Sequence, residues 1–100
     1  MIVLGGTLRI PAEGRHEILQ ALKTLKKATW ANDVGVVAYH FSIDLDDENL
    51  IHVYEEWKTV EDLKAHGQKP HMVPFRALRE ENGVEVVTFS RWRAEELGRY

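Results

Sequence analysis

An α+β domain of strand, helix, strand, strand, helix, strand order is what this sequence predicts, and three observations predict it. Four short stretches are rich in β-branched and aliphatic residues and are bounded by Gly, Pro, Asn or Asp. Between them lie stretches whose apolar residues recur at three and four positions, the helical period. One pair of strands is joined directly and the others through helices, which is the split βαβ pattern of a ferredoxin-like domain with an antiparallel sheet. A chain of 100 residues buries roughly two-thirds of its unfolded surface. Residues 1–100 therefore form a single domain.

Residues 2–10 make the first strand, which Pro11 closes because it has no N–H for a ladder. Ile18, Ala21, Leu22, Leu25, Ala28 and Thr29 then mark one face of a helix, while Arg15, Glu17, Lys23, Lys26 and Lys27 mostly lie off it. The lysines read as a solvated face near the helix C-terminus, where positive charge suits the dipole. Gly35 restarts the chain into a strand over residues 36–43, and residues 49–57 form the next, joined by the acidic residues 44–48. Asp44, Asp46 and Glu48 supply part of the spacing of a calcium loop, but its Gly is lacking.

Thr59 is a good N-cap for a short helix that Gly67 ends, with Glu61 and Asp62 in its first turn. A second helical piece follows, with Pro74 in its first turn, Met72, Phe75 and Leu78 on its inner side, and its end beyond Arg79. Asn82 and Gly83 turn the chain into a last strand over residues 84–93, and residues 94–100 are a polar tail. Val37, Tyr39, Phe41 and Ile43 alternate with Val36, Ala38 and His40, so this strand reads as apolar on both faces. Such a sheet needs a cover, and a second copy of the chain is the simplest one. The expectation is a homodimer.

Thirteen Lys and Arg against sixteen Asp and Glu give a net charge of −3, which does not favour nucleic acid. No stretch has the length and apolarity to span a membrane, and the apolar opening lacks the basic start of a signal peptide. Zero cysteines exclude disulfides, thiolate nucleophiles and iron–sulfur clusters, and fit a cytoplasmic protein. Gly5-Gly6 belongs to no dinucleotide fingerprint, and neither a Walker sequence nor a nucleophile elbow occurs. No cofactor and no metal are expected.

The segment Tyr54-Glu55-Glu56-Trp57-Lys58, followed by Ala65-His66, Pro70-His71-Met72 and Phe75, resembles the signature of the antibiotic biosynthesis monooxygenase family. The similarity extends over nearly the whole chain and is greatest to small stand-alone quinol monooxygenases. It implies a dimeric α+β barrel and a cofactor-independent oxidation of a small aromatic quinol or polyphenol by dioxygen. Thr7 stands where haem-degrading relatives of this fold carry an Asn, and His66 where they carry a Trp, which disfavours haem chemistry. Two alternatives stay open. One is a cofactor-free isomerase of a small, phosphorylated metabolite, with Arg76 and Arg79 as the nearest cations. The other is a dimeric ligand-binding or stress-response barrel without turnover.

His71 and His66 are the candidate catalytic residues, because both belong to that segment and flank a loop near the implied pocket. At the N-terminal end of a helix the dipole favours a neutral His71 imidazole, so His71 is the expected base and His66 the group that orients the phenol. Trp57, Met72, Phe75, Phe41 and Tyr54 are the candidate substrate-binding residues, since aromatic faces and a thioether hold flat rings. Alternation places Trp57 and Glu55 on one strand face and Tyr54 on the other, so these cannot all line one cavity. A buried Glu55 would need a partner, with Arg9 or Arg91 expected. His66 and His71 are five positions apart across a Pro-containing loop, not the one-turn spacing of a helical zinc pair.

Overall fold

Residues 1–100 of the computed structural model follow the predicted order: β1 (Ile2–Arg9), α1 (Arg15–Asn32), β2 (Val36–Ile43), β3 (Leu50–Trp57), α2 (Val60–Gly67), a 3-10 turn (Pro70–Met72), α3 (Val73–Glu81) and β4 (Glu85–Arg93). The strands form one sheet ordered β2-β3-β1-β4, antiparallel at every pairing. This is the ferredoxin-like α+β arrangement.

The period of two along β1 and β3 sets what faces the helices. Leu8, Ile10, Ile51 and Val53 meet Ile18 and Leu22 of α1 and Val84 in the main core. Ile2, Leu4 and Trp57 meet Leu63 of α2 in a second, smaller one. Each such buried aliphatic side chain stabilises the fold by about 1.5–3 kcal/mol. Leu22 is among the least exposed residues of α1, and truncating it to Ala should cost about 2–5 kcal/mol through the cavity left behind.

Two turns position the site. α1 ends at Asp33, whose extended backbone still donates its N–H to the Thr29 carbonyl. Gly35 follows in the left-handed region at φ 80, and a Cβ there would collide with the Asp62 carboxyl in the first turn of α2. Only Gly fits. Its carbonyl accepts from the Lys58 N–H at 2.8 Å, which ties the end of α1 to the start of α2. Thr59 caps α2 as expected, its Oγ1 accepting from the Asp62 N–H at 3.0 Å.

Three expectations need correction. A β-bulge between Val36 and Ala38 makes Val37 the extra residue, so Val36, Tyr39, Phe41 and Ile43 share the helix side while Ala38, His40 and Ser42 take the other. The outer face is therefore more polar than strict alternation implies. α1 continues to Asn32 and has no basic residue in its last turn, so Lys23, Lys26 and Lys27 sit too far back to meet the dipole end. Finally, Arg9 pairs with Asp47 at 2.9 Å in the acidic loop and does not approach Glu55.

Candidate functional site

Two parts of the chain far apart in sequence meet in the helix layer. Asp33 comes from the end of α1, His66 from the last turn of α2 and His71 from the 3-10 turn. The Asp33 side chain is 1% exposed and those of His66 and His71 are 4% and 13%. Asp33 Oδ2 accepts a hydrogen bond from His66 Nδ1. His71 Nε2 stands 3.1 Å from Oδ1 and at hydrogen-bond distance, 3.3 Å, from Oδ2, with the His71 tautomer deciding which group donates. A carboxylate on Nδ1 fixes the tautomer that leaves Nε2 free to accept a proton. That Nε2 lies 3.4 Å from the Tyr39 hydroxyl of β2.

Aromatic rings hold the His66 imidazole in place. Its centroid is 4.7 Å from Trp57 and 5.3 Å from Tyr39, the latter edge to face. Burial lowers the proton affinity of His66, and the neighbouring Asp33 opposes that shift without cancelling it. Burial raises the Tyr39 phenol far up, with the Glu55 charge adding to it, so Tyr39 keeps its proton. Glu55 is itself pushed up to about 7 by burial, against a hydrogen bond that favours its charged form. That bond comes from Trp57 Nε1 to Glu55 Oε1 at 2.9 Å. The partner of Glu55 is thus an indole two residues along the same strand face, not Arg9 or Arg91.

Leu4, Tyr39, Phe41, Val53, Glu55, His66, Met72, Phe75 and Phe89 enclose a cavity of about 140 Å³ between sheet and helices. Of the sequence-predicted residues, Phe41, Met72, Phe75 and His66 line it. Trp57 is fully buried beneath His66 and does not. Tyr54 is on the opposite sheet face, where its hydroxyl donates to Glu56 at 2.8 Å. His71 lines a separate groove of about 200 Å³ between α1 and α3. Phe75 forms a wall of both spaces.

Asp33, Tyr39 and Phe89 were missed in the sequence. Phe89 leans over β1 because Gly6 has no side chain: a Cβ there would collide with the Phe89 ring and the Thr88 carbonyl. Asp33, His66 and His71 place ligand-type atoms within 4.8 Å of one another. Ligands of one zinc ion at 2.0–2.1 Å stand roughly 3.4 Å apart in a tetrahedron. Here His66 Nδ1 and Asp33 Oδ2 are instead in direct hydrogen-bond contact.

The model of the family described as antibiotic biosynthesis monooxygenase matches residues 1–78. No curated protein sequence matches the chain. A crystal structure of a candidate antibiotic biosynthesis monooxygenase from Deinococcus radiodurans superposes with a TM-score of 0.87 at 24% identity, over 100% of this chain and 98% of that one. A second candidate of the same description, from Caulobacter crescentus, gives 0.83 at 19% identity over 95% and 90% of the two chains. A conserved Bacteroides thetaiotaomicron protein of unknown function, with oxidoreductase as its suggested class, gives 0.80 at 21% identity over 91% and 94%. At these identities the superpositions speak for the fold, whereas the family match spans 78 of 100 residues and both candidate histidines. This chain belongs to the antibiotic biosynthesis monooxygenase family.

Proposed function

We propose that the protein is a cofactor-independent monooxygenase that oxidises a small quinol or polyphenol with dioxygen, as a homodimer in the cytoplasm. The observation that carries this reading is the cavity: largely apolar, about 140 Å³, with His66 and Glu55 among its lining groups. An apolar cavity of about 150 Å³ lodges one benzene ring. The size therefore favours a monocyclic phenol over a fused polycycle.

His66 Nε2 takes a phenolic proton, which makes the ring a stronger electron donor. His71 faces the other space, so the role of base passes from His71 to His66. Glu55 accepts a hydrogen bond from a second hydroxyl, and Phe41, Met72, Phe75 and Phe89 exclude water. One electron passes from the phenolate to dioxygen and the radical pair combines into a ring peroxide. Loss of water then leaves a hydroxylated quinone, so that a quinol plus O₂ gives that quinone plus H₂O. The isomerase reading has less support, because Arg76 donates to the Gly67 carbonyl at 3.2 Å and does not line the cavity.

Support for the dimer comes from the sheet edge. β4 is exposed along nearly its whole length, and Val87 and Trp92 on it are 47% and 55% exposed. Oxygen uptake across a series of quinols tests the proposal, each rate corrected for spontaneous oxidation. Single-ring quinols should be turned over and naphthalene- or anthracene-based ones should be slower by at least tenfold. The absence of enzyme-dependent uptake with every quinol would remove the monooxygenase reading.

A further inference from the structure

We propose that Asp33 and His71 form a proton outlet for the cavity, carrying the proton taken by His66 to the groove between α1 and α3. The inference rests on the monooxygenase reading for the source of that proton. Its geometry is a continuous row of polar atoms. The Tyr39 hydroxyl and His66 Nε2 are at the cavity, His66 Nδ1 is on Asp33, and the Asp33 carboxylate faces His71 Nε2 at 3.1 and 3.3 Å. The two rings border different spaces, His66 the cavity between sheet and helices and His71 the groove between α1 and α3.

Three features make the row a relay and not merely a brace. No Lys or Arg pairs with Asp33, so the only cations that can offset its buried charge are the two imidazoles it touches. Asp33 Oδ1 is buried and has no aligned hydrogen bond, so the carboxylate keeps unused acceptor capacity 3.1 Å from His71 Nε2. Burial also makes His66 a weak holder of any proton it takes. The groups that titrate around His66 are Asp33 from the end of α1, Tyr39 from β2, Glu55 from β3 and His71. Towards His71, α1 presents only Ala21, Thr24, Leu25 and Ala28.

The transfer balances atom by atom. The phenolic proton moves to His66 Nε2 while the Nδ1 proton moves to Asp33. With His71 as the tautomer that carries its proton on Nδ1, Asp33 then gives the proton to the bare His71 Nε2, and the Nδ1 proton leaves to solvent through the groove. The same bonds run in reverse when the leaving oxygen is protonated to water. No electrons move in either leg.

Chemical rescue tests this directly. His71→Ala should lower kcat for quinol-dependent oxygen uptake about tenfold in dilute buffer, leave KM unchanged, and recover when imidazole is added. His66→Ala should not recover. A His71→Ala loss that ignores imidazole, a change confined to KM, or no loss at all would overturn the relay. A second measurement needs neither turnover nor a variant that folds. In ¹⁵N-histidine spectra of the parent, the His66 and His71 ring nitrogens should shift together over one pH range, and independent shifts would also reject the proposal. A parent inactive on every quinol, with coupled shifts, would remove the monooxygenase reading alone.

Discussion

Two aspartates of the molecule pair with histidine, sharing a chemistry and differing in place. Asp33 and His66 meet under the helices with side chains 1% and 4% exposed, whereas Asp44 and His52 meet at 2.8 Å at the sheet end with 26% and 47% exposed. In the open pair the hydrogen bonds from His52 and from the loop backbone hold the Asp44 carboxyl below its usual range, and water screens what remains. In the closed pair burial dominates and makes the imidazole release protons more readily. Asp–His pairing is common by itself, and in the proposed function it is enclosure beside an apolar cavity that makes such a pair a usable base.

The sharpest way to break this comparison is to remove the base. His66→Gln keeps the volume and should lower quinol-dependent oxygen uptake at least a hundredfold, within the range for losing a general base. In the parent the activity should fall as pH drops through a value below the ordinary histidine value of 6.5, because the protonated ring cannot accept. A rate limb above 6.5 in parent and variant alike would report substrate ionisation instead.

Glu55 sharpens the contrast through stability. Between its ordinary value of 4.5 and about 7, the folded chain holds a proton that the unfolded chain has released. Parental stability therefore falls as pH rises across that window. Glu55→Gln cannot titrate, so the difference between variant and parent should grow by up to about 3 kcal/mol from pH 4.5 to pH 8. Chemical denaturation across that range checks it, and a difference independent of pH would mean that Glu55 titrates alike in the folded and unfolded chains.

On the outer face, Gly5 leaves room for the Trp92 ring, 3.5 Å from where a Cβ would stand. A charge there should oppose docking of a second copy. Light scattering should give twice the 11.5 kDa of one chain for the parent and about half as much for Trp92→Glu. The smallest effect belongs to the open pair: Asp44→Asn should change activity less than twofold. A loss comparable with that of His66→Gln would erase the distinction between the two pairs.

The strands and helices were legible because each carries its own period, and Thr59, Gly67 and Pro74 mark boundaries by local chemistry alone. The bulge at Val37 was not, since it depends on pairing with Glu56 and Trp57 across the sheet. His66 and His71 stood out within one short segment. Asp33 lies 33 residues before His66, at the end of a helix with no periodic or motif signal, and only the closure around Gly35 brings it there. The outward direction of Tyr54 could be read from alternation, whereas the division of labour between the histidines could not. That division depends on which side of Phe75 each ring occupies.

The central claim is that an apolar cavity with His66 as base lets a single-ring quinol react with dioxygen. Turnover under ¹⁸O₂ with mass analysis of the product tests it most directly. One labelled oxygen atom should appear in the quinone and the other in water, at a rate that His66→Gln abolishes. Quinone without label, accompanied by hydrogen peroxide, would show simple oxidation in place of oxygen insertion and would contradict the account.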